Sequence, residues 1–159
     1  EPSIREGWQY SMTVPRELSW KGGILCQKPV RELEALRKDE IVFEQGEAEI
    51  HGGTFDLVAE RDIAGDIPVR ICFNQEFQIT YGHGVVSMEF LNNTGRTIRK
   101  AKLDGLQNVR ILMDVSLMEV YFNDGELVMT TRYYPEDPMT TKVSISGMEQ
   151  VKGWTMAGQ

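Results

Sequence analysis

Long apolar runs are missing from this sequence. No stretch approaches the roughly 20 consecutive apolar residues that a helix needs to span a bilayer, so no membrane partner is expected. Basic charge is also in short supply, with 17 Lys and Arg against 24 Asp and Glu and a net charge of -7. Nucleic-acid binding rests on a cationic patch that neutralises phosphates, and no such patch occurs. A solvated acidic surface is expected instead. Cysteine is sparse: Cys26 and Cys72 lie far apart, without Cys-x-x-Cys spacing or further ligands nearby. They are expected as plain buried thiols, with no metal and no cofactor. Unpatterned cysteines suit a reducing compartment, so a cytoplasmic location is expected. His51 and His83 are the two histidines, and neither has a partner at ligand spacing. Nucleophile elbows, phosphate loops and dinucleotide fingerprints are absent, because no Gly-x-Ser-x-Gly, Gly-x-x-x-x-Gly-Lys or Gly-x-Gly-x-x-Gly occurs.

Helical periodicity is rare too. Residues 30–38 alone read as a helix: Pro29 suits a first helical position, Val30, Leu33 and Leu36 share a face, and Glu34 and Lys38 form an i,i+4 pair. What fills the rest is strand. Runs over 8–14, 24–28, 41–43, 48–51, 55–60, 69–73, 77–81, 85–91, 97–103, 143–146 and 151–156 are separated by turn signals such as Gly22-Gly23, Gly52-Gly53 and Gly82-His83-Gly84. Within them Phe55, Leu57 and Ala59 alternate with Asp56, Val58 and Glu60, the pattern of a sheet with one buried face. The expected fold is all-β: a two-sheet antiparallel β-sandwich, jelly-roll or concanavalin-like, with one short N-terminal linker helix. At 159 residues the chain suits one such domain, burying roughly 70% of its extended surface.

The strongest signal is residues 109–135. Asp124-Gly125 stands between two alternating runs, and this pair tolerates the positive φ that a type I′ hairpin requires. A two-residue loop sets Phe122 opposite Leu127, Val120 opposite Met129 and Met118 opposite Thr131. Those residues form a core face, while Glu119, Tyr121, Val128 and Thr130 take the other. Asp124 and Gly125 are therefore read as a structural turn.

Among 24 acidic residues some pair always looks suggestive of glycoside hydrolysis, which needs two carboxyl groups facing each other across a sugar. Glu60 with Asp62, and Asp124 with Glu126, flank turns and read as solvated loop carboxylates. Asp114 and Glu119 stand mid-strand opposite the core face. They read as an outward sheet face pairing with Arg110 or Arg132, or else as interface residues. Trp8, Tyr10 and Trp20 join Asp114 and Glu119 as candidate interface residues. No residue is nominated as catalytic.

Two motifs carry a resemblance. Asp114-Val-Ser-Leu-Met-Glu119-Val-Tyr-Phe-Asn-Asp-Gly125-Glu, followed by Thr-Thr-Arg-Tyr-Tyr-Pro135, resembles the signature hairpin in the C-terminal β-sandwich of glycoside hydrolase family 32. That family contains the β-fructosidases: invertase, sucrose-6-phosphate hydrolase and fructanase. Met12-Thr-Val-Pro15-Arg16-Glu17-Leu18, with Leu25-Cys-Gln27-Lys-Pro29-Val-Arg31-Glu32-Leu33-Glu34-Ala-Leu36-Arg37, is similar to the family's passage from its five-bladed catalytic propeller into the sandwich. The resemblance implies that residues 1–23 are the remnant of the propeller's last strand and linker, and that 24–159 are the sandwich. It implies a retaining β-fructofuranosidase as parent. The family's catalytic motifs, Asn-Asp-Pro-Asn-Gly, Arg-Asp-Pro and Glu-Cys, do not occur here. Arg61-Asp62-Ile63 and Glu136-Asp137-Pro138 are near-misses, so no catalytic residue transfers.

Three functions follow as expectations. The first is an accessory module that stabilises a catalytic propeller of the same polypeptide and contributes to contacts between copies. The second is a fructan- or sucrose-binding module, although weak or no sugar binding is expected. The third is an independent enzyme. The first residue is Glu1 rather than Met, which fits a processed or excised piece, and residues before Leu18 are expected to make few contacts with the sandwich.

Overall fold

A computed structural model describes residue 7, residues 11–92 and residues 98–157, with backbone alone for 63–65. The described residues form fourteen strands. In chain order these are β1 (Arg16–Lys21), β2 (Ile24–Pro29), β3 (Arg37–Glu40), β4 (Glu47–His51), β5 (Thr54–Gly65), β6 (Val69–Phe73) and β7 (Phe77–Gly82). There follow β8 (Val85–Phe90), β9 (Ile98–Lys102), β10 (Leu106–Asp114), β11 (Leu117–Phe122), β12 (Leu127–Arg132), β13 (Thr140–Ser146) and β14 (Gln150–Met156). One six-stranded sheet runs β12-β11-β10-β5-β14-β3, and a second runs β4-β13-β6-β7-β8-β9. Every ladder is antiparallel. The chain is an all-β two-sheet sandwich. Among the described residues no helix is long and apolar enough to cross a membrane.

Period-two patterning decides what the sheets bury between them. From the first sheet come Phe55, Leu57, Val109, Ile111, Met118, Val120 and Phe122, and they meet Ile71, Phe73, Phe77, Ile79, Val86 and Met88 of the second. Burying each such side chain contributes about 1.5–3 kcal/mol, far more than any strand propensity. Tyr133 closes one end of the core, its ring 5.6 Å from that of Phe77 and 6.4 Å from Phe73. Its hydroxyl donates to Glu76 (2.9 Å) and accepts from the Asn74 amide (3.1 Å), so the buried polar atom is satisfied.

The expected hairpin register holds, with Phe122↔Leu127, Val120↔Met129 and Met118↔Thr131. At its tip Asp124 (φ 58°) and Gly125 (φ 87°) both take positive φ, and so does Asn123 (φ 48°). The run 109–135 nevertheless holds a second reversal. Asp114 pairs with Leu117 across Val115-Ser116, where Val115 has φ 54°. A β-branched residue in that region is uncommon, so no turn signal marks the place.

Other expectations are corrected. The helix expected over 30–38 is a six-residue 3₁₀ helix, Arg31–Leu36, with no buried residue. An amphipathic helix gains its stability from a covered face, and here Leu36 stays 42% exposed. The chain then straightens into β3, which pairs with β14, and Glu34 lies 3.7 Å from Arg37 rather than pairing with Lys38. No strand forms over 11–15, and residues 8–10 lie outside the described ones. The first strand among the described residues is β1, paired along its whole length with β2 around Gly22-Gly23. The boundary drawn between residues 23 and 24 therefore falls at the turn of one hairpin.

Candidate functional site on the covered outer face

The outer face of the first sheet should meet water by the alternation rule, yet β11 is buried at all six positions. Val14, Arg16 and Arg37, from the segment 11–37, reach this face. Beneath them Asp56 (0% exposed) and Glu119 (1%) are buried carboxylates. Isolated ionised groups there would be costly, so each must be paired and hydrogen-bonded.

Glu119 is held by three donors. Its Oε1 accepts the Val14 amide at 2.8 Å, and its Oε2 accepts Arg16 Nη2 at 2.7 Å and the Tyr121 hydroxyl at 2.7 Å. Arg16 also donates to Gln27 Oε1 (3.0 Å), and its guanidinium lies 5.5 Å from the centroid of the Tyr121 ring. Ser11 accepts a hydrogen bond from Arg132 on β12. Ser11, Val14 and Arg16 are thus tied to the sandwich, where few contacts before Leu18 were expected, because a buried carboxylate draws a guanidinium and a backbone N–H to itself.

Asp56 gathers two arginines. Arg37 donates to Oδ2 through Nε (2.8 Å) and approaches it through Nη2 (2.7 Å); Arg110 donates to Oδ1 (3.0 Å) and Oδ2 (2.9 Å). Glu34 lies 3.7 Å from Arg37 and 3.6 Å from Arg110, completing a two-acid, two-base network. The Arg37 guanidinium stacks 3.8 Å from the Trp154 ring centroid, a cation–π contact.

This arrangement ties residues 14–37 to the sheet through charge-assisted hydrogen bonds. A retaining glycosidase needs two carboxyl groups about 5–5.5 Å apart across a sugar, one of them protonated. Here both carboxylates are covered and committed to guanidinium partners. Among the described residues no group of His, Cys, Asp and Glu is placed to hold a metal ion. The other outer face carries an open groove of about 1000 Å³, bordered by Glu44, Glu47, Glu49, Asn74 and Lys142 and lined by no aromatic ring.

Burial, and then the hydrogen bond to Glu119, push the Tyr121 hydroxyl well above its ordinary value of 10.0. A raised folded value means the native state keeps this proton while the unfolded chain releases it. Its stabilisation is complete below pH 10 and is lost as pH rises beyond it. Stability should therefore fall above pH 10, and Tyr121→Phe should flatten that fall. Urea midpoints between pH 8 and 11.5 check this; equal slopes in the two proteins would refute it.

The candidate interface residues are dispersed. Trp8 and Tyr10 lie outside the described residues. Trp20 stands 73% exposed on β1, and Asp114 is exposed at the end of β10. Glu119 is buried and paired with Arg16, not with Arg110 or Arg132. At the hairpin tip Asp124 lies 3.1 Å from Lys28, and Gly125 is buried against β2. The sequence pattern did not single out Asp56 or Arg37, and it placed Arg110 beside Asp114 or Glu119 rather than Asp56. A carboxylate between Phe55 and Leu57 was the available signal, but alternation assigned it to solvent.

Residues 32–154 match the family described as Glycosyl hydrolases family 32 C terminal. The sucrose-6-phosphate hydrolase of Vibrio alginolyticus is 30% identical over 167 aligned residues, covering 99% of this chain and 34% of that protein. The sucrose-6-phosphate hydrolase of Klebsiella pneumoniae is 32% identical over 148 residues, covering 87% of this chain and 29% of that protein. This chain spans about a third of the length of these curated relatives. A family 32 glycoside hydrolase from Bifidobacterium adolescentis shares the fold with a TM-score of 0.77 at 18% identity, over 92% of this chain and 26% of its own. The sucrose-6-phosphate hydrolase of Lactobacillus gasseri gives 0.69 at 21% identity, over 99% and 36%.

Proposed function

The chain belongs to the family 32 glycosyl hydrolase C-terminal domains, and from that membership we propose that it is the accessory β-sandwich of a β-fructofuranosidase acting on sucrose or sucrose 6-phosphate. The observation that carries this reading is the commitment of both buried carboxylates, Asp56 and Glu119, to structural pairing. Its partner is a five-bladed catalytic propeller of the same polypeptide, which it stabilises. Residues 1–23 come from the propeller's last strand and linker, and 24–159 are the sandwich. The β1–β2 hairpin spans that boundary and joins neither six-stranded sheet, as a connection between two parts would. Trp20 and Asp114, with Trp8 and Tyr10, are interface residues in this reading, facing the propeller or a second copy.

The chain is expected to release no fructose from sucrose, sucrose 6-phosphate or inulin. Turnover above a vector-only preparation, rising in proportion to this protein, would refute the accessory role. A fructan- or sucrose-binding module typically presents aromatic rings along a trough. The groove on the second sheet offers carboxylates and amides instead. Titration calorimetry with sucrose, fructose and levan oligosaccharides should accordingly give no affinity in the micromolar range; a micromolar constant would install the sugar-binding reading in its place.

A further inference from the structure

Two motifs separated in the sequence, Val14-Pro15-Arg16 and Glu119-Val120-Tyr121, meet at one buried node. The β1–β2 hairpin that follows Arg16 shares no ladder with either large sheet among the described residues. Two strands alone are marginal in water, so the order of this hairpin depends on what it touches.

It is seated on the sandwich at three places. Arg16 reaches Glu119 (2.7 Å) and Thr130 (3.4 Å). Lys28 lies 3.1 Å from Asp124. The Gln27 backbone presses on Gly125 so closely that a Cβ there would stand 1.9 Å from the carbonyl oxygen. Within the hairpin strands only Cys26 and Pro29 are buried, whereas Leu18 and Trp20 stay exposed. Beneath Arg16, Glu119 and Tyr121 are 1% and 2% exposed.

From this contrast we infer that the β1–β2 hairpin is a latched strap. It lifts and reseats as one unit while the sandwich stays folded, with Arg16–Glu119 as the latch and Gly125 as the seat. Segments with few buried apolar contacts open at free energies below that of global unfolding, and this hairpin meets that description. The sandwich, whose two sheets share one continuous core, does not. Any body preceding the strap in a longer protein would be carried by it. The latch then sets whether that body moves with the sandwich, a consequence that rests on the accessory-domain reading. The strap itself does not need that reading and is testable on this chain.

Hydrogen exchange read by mass spectrometry is the test, comparing wild type with Glu119→Gln and Gly125→Ala. In wild type, amides of residues 16–29 are expected to exchange at least about 100-fold faster than those of β6 and β7, as locally opening segments do. Glu119→Gln should speed 16–29 by roughly 10- to 100-fold more, the range for a weakened charge-assisted hydrogen bond, and leave β6 and β7 unchanged. Gly125→Ala lifts β2 without removing charge and should speed the same amides, which covers the case in which Glu119→Gln does not fold. Core-like exchange of 16–29 in wild type overturns the inference. So does a rise of both regions together, or no rise in either variant. None of these outcomes depends on the fructose-release assay.

Discussion

Asp56→Ala is expected to lower the free energy of unfolding by about 3–5 kcal/mol, the usual penalty for breaking a buried ion pair from one side. Asp56 is fully covered and accepts four contacts from Arg37 and Arg110. Removing it leaves two guanidinium groups on one covered face, with Glu34 as the remaining nearby acid. The loss comes from uncompensated charge more than from lost attraction, so replacing the whole cluster should behave differently. Arg37→Met, Asp56→Leu and Arg110→Met together are expected to recover most of the stability, because apolar residues of similar volume often match a buried ion cluster. Glu47→Ala, on the other sheet and away from this network, serves as a control and should stay within about 0.5 kcal/mol of wild type. Urea denaturation gives all three values. A loss below about 1 kcal/mol for Asp56→Ala would show that the cluster does not hold residues 34–37 against the sheet.

The same cluster marks where sequence reasoning stopped. The core was readable because Phe55, Leu57, Val109, Ile111, Val120 and Phe122 repeat at period two, and a period-two pattern has one dry face. The β11–β12 register was readable because Asp124-Gly125 fixes loop length, which sets every cross-strand pair that follows. Alternation also assigns the second face to water, and here that rule fails. Asp56 and Glu119 are buried and reached by Val14, Arg16 and Arg37, and nothing within β5 or β11 encodes what lies across them. Arg16 and Glu119 are 103 positions apart, and pairing at that distance is a tertiary fact rather than a local one. The turn at Val115 was hidden for another reason, because its backbone adopts positive φ without a residue that favours it. The helix expected over 30–38 had a suitable apolar stripe but no surface to bury it on, so Arg37 joined a sheet edge instead. The family resemblance was legible from two short motifs. That these motifs touch each other was not.

Gly125→Val is expected to lose about 2–6 kcal/mol, for two reasons that can be separated within this chain. Gly125 sits at φ 87°, where a β-branched residue is strained by about 1–3 kcal/mol. It is also pressed against β2: a Cβ would lie 1.9 Å from the Gln27 carbonyl oxygen and 2.5 Å from its carbon. Backbone cannot rotate away as a side-chain tip can, so the clash is relieved only by lifting β2, and overpacking of this kind adds about 1–3 kcal/mol. Gly22 provides the comparison. It too has positive φ, 58°, but nothing lies within 4 Å of its Cβ position. Gly22→Val should therefore show the conformational part alone, about 1–3 kcal/mol, and Gly125→Val should exceed it. Far-ultraviolet melting curves of both variants measure the difference. If Gly125→Val melts no lower than Gly22→Val, the close approach of Gln27 is not part of the native packing, and the hairpin tip is a turn without a seat for the strap.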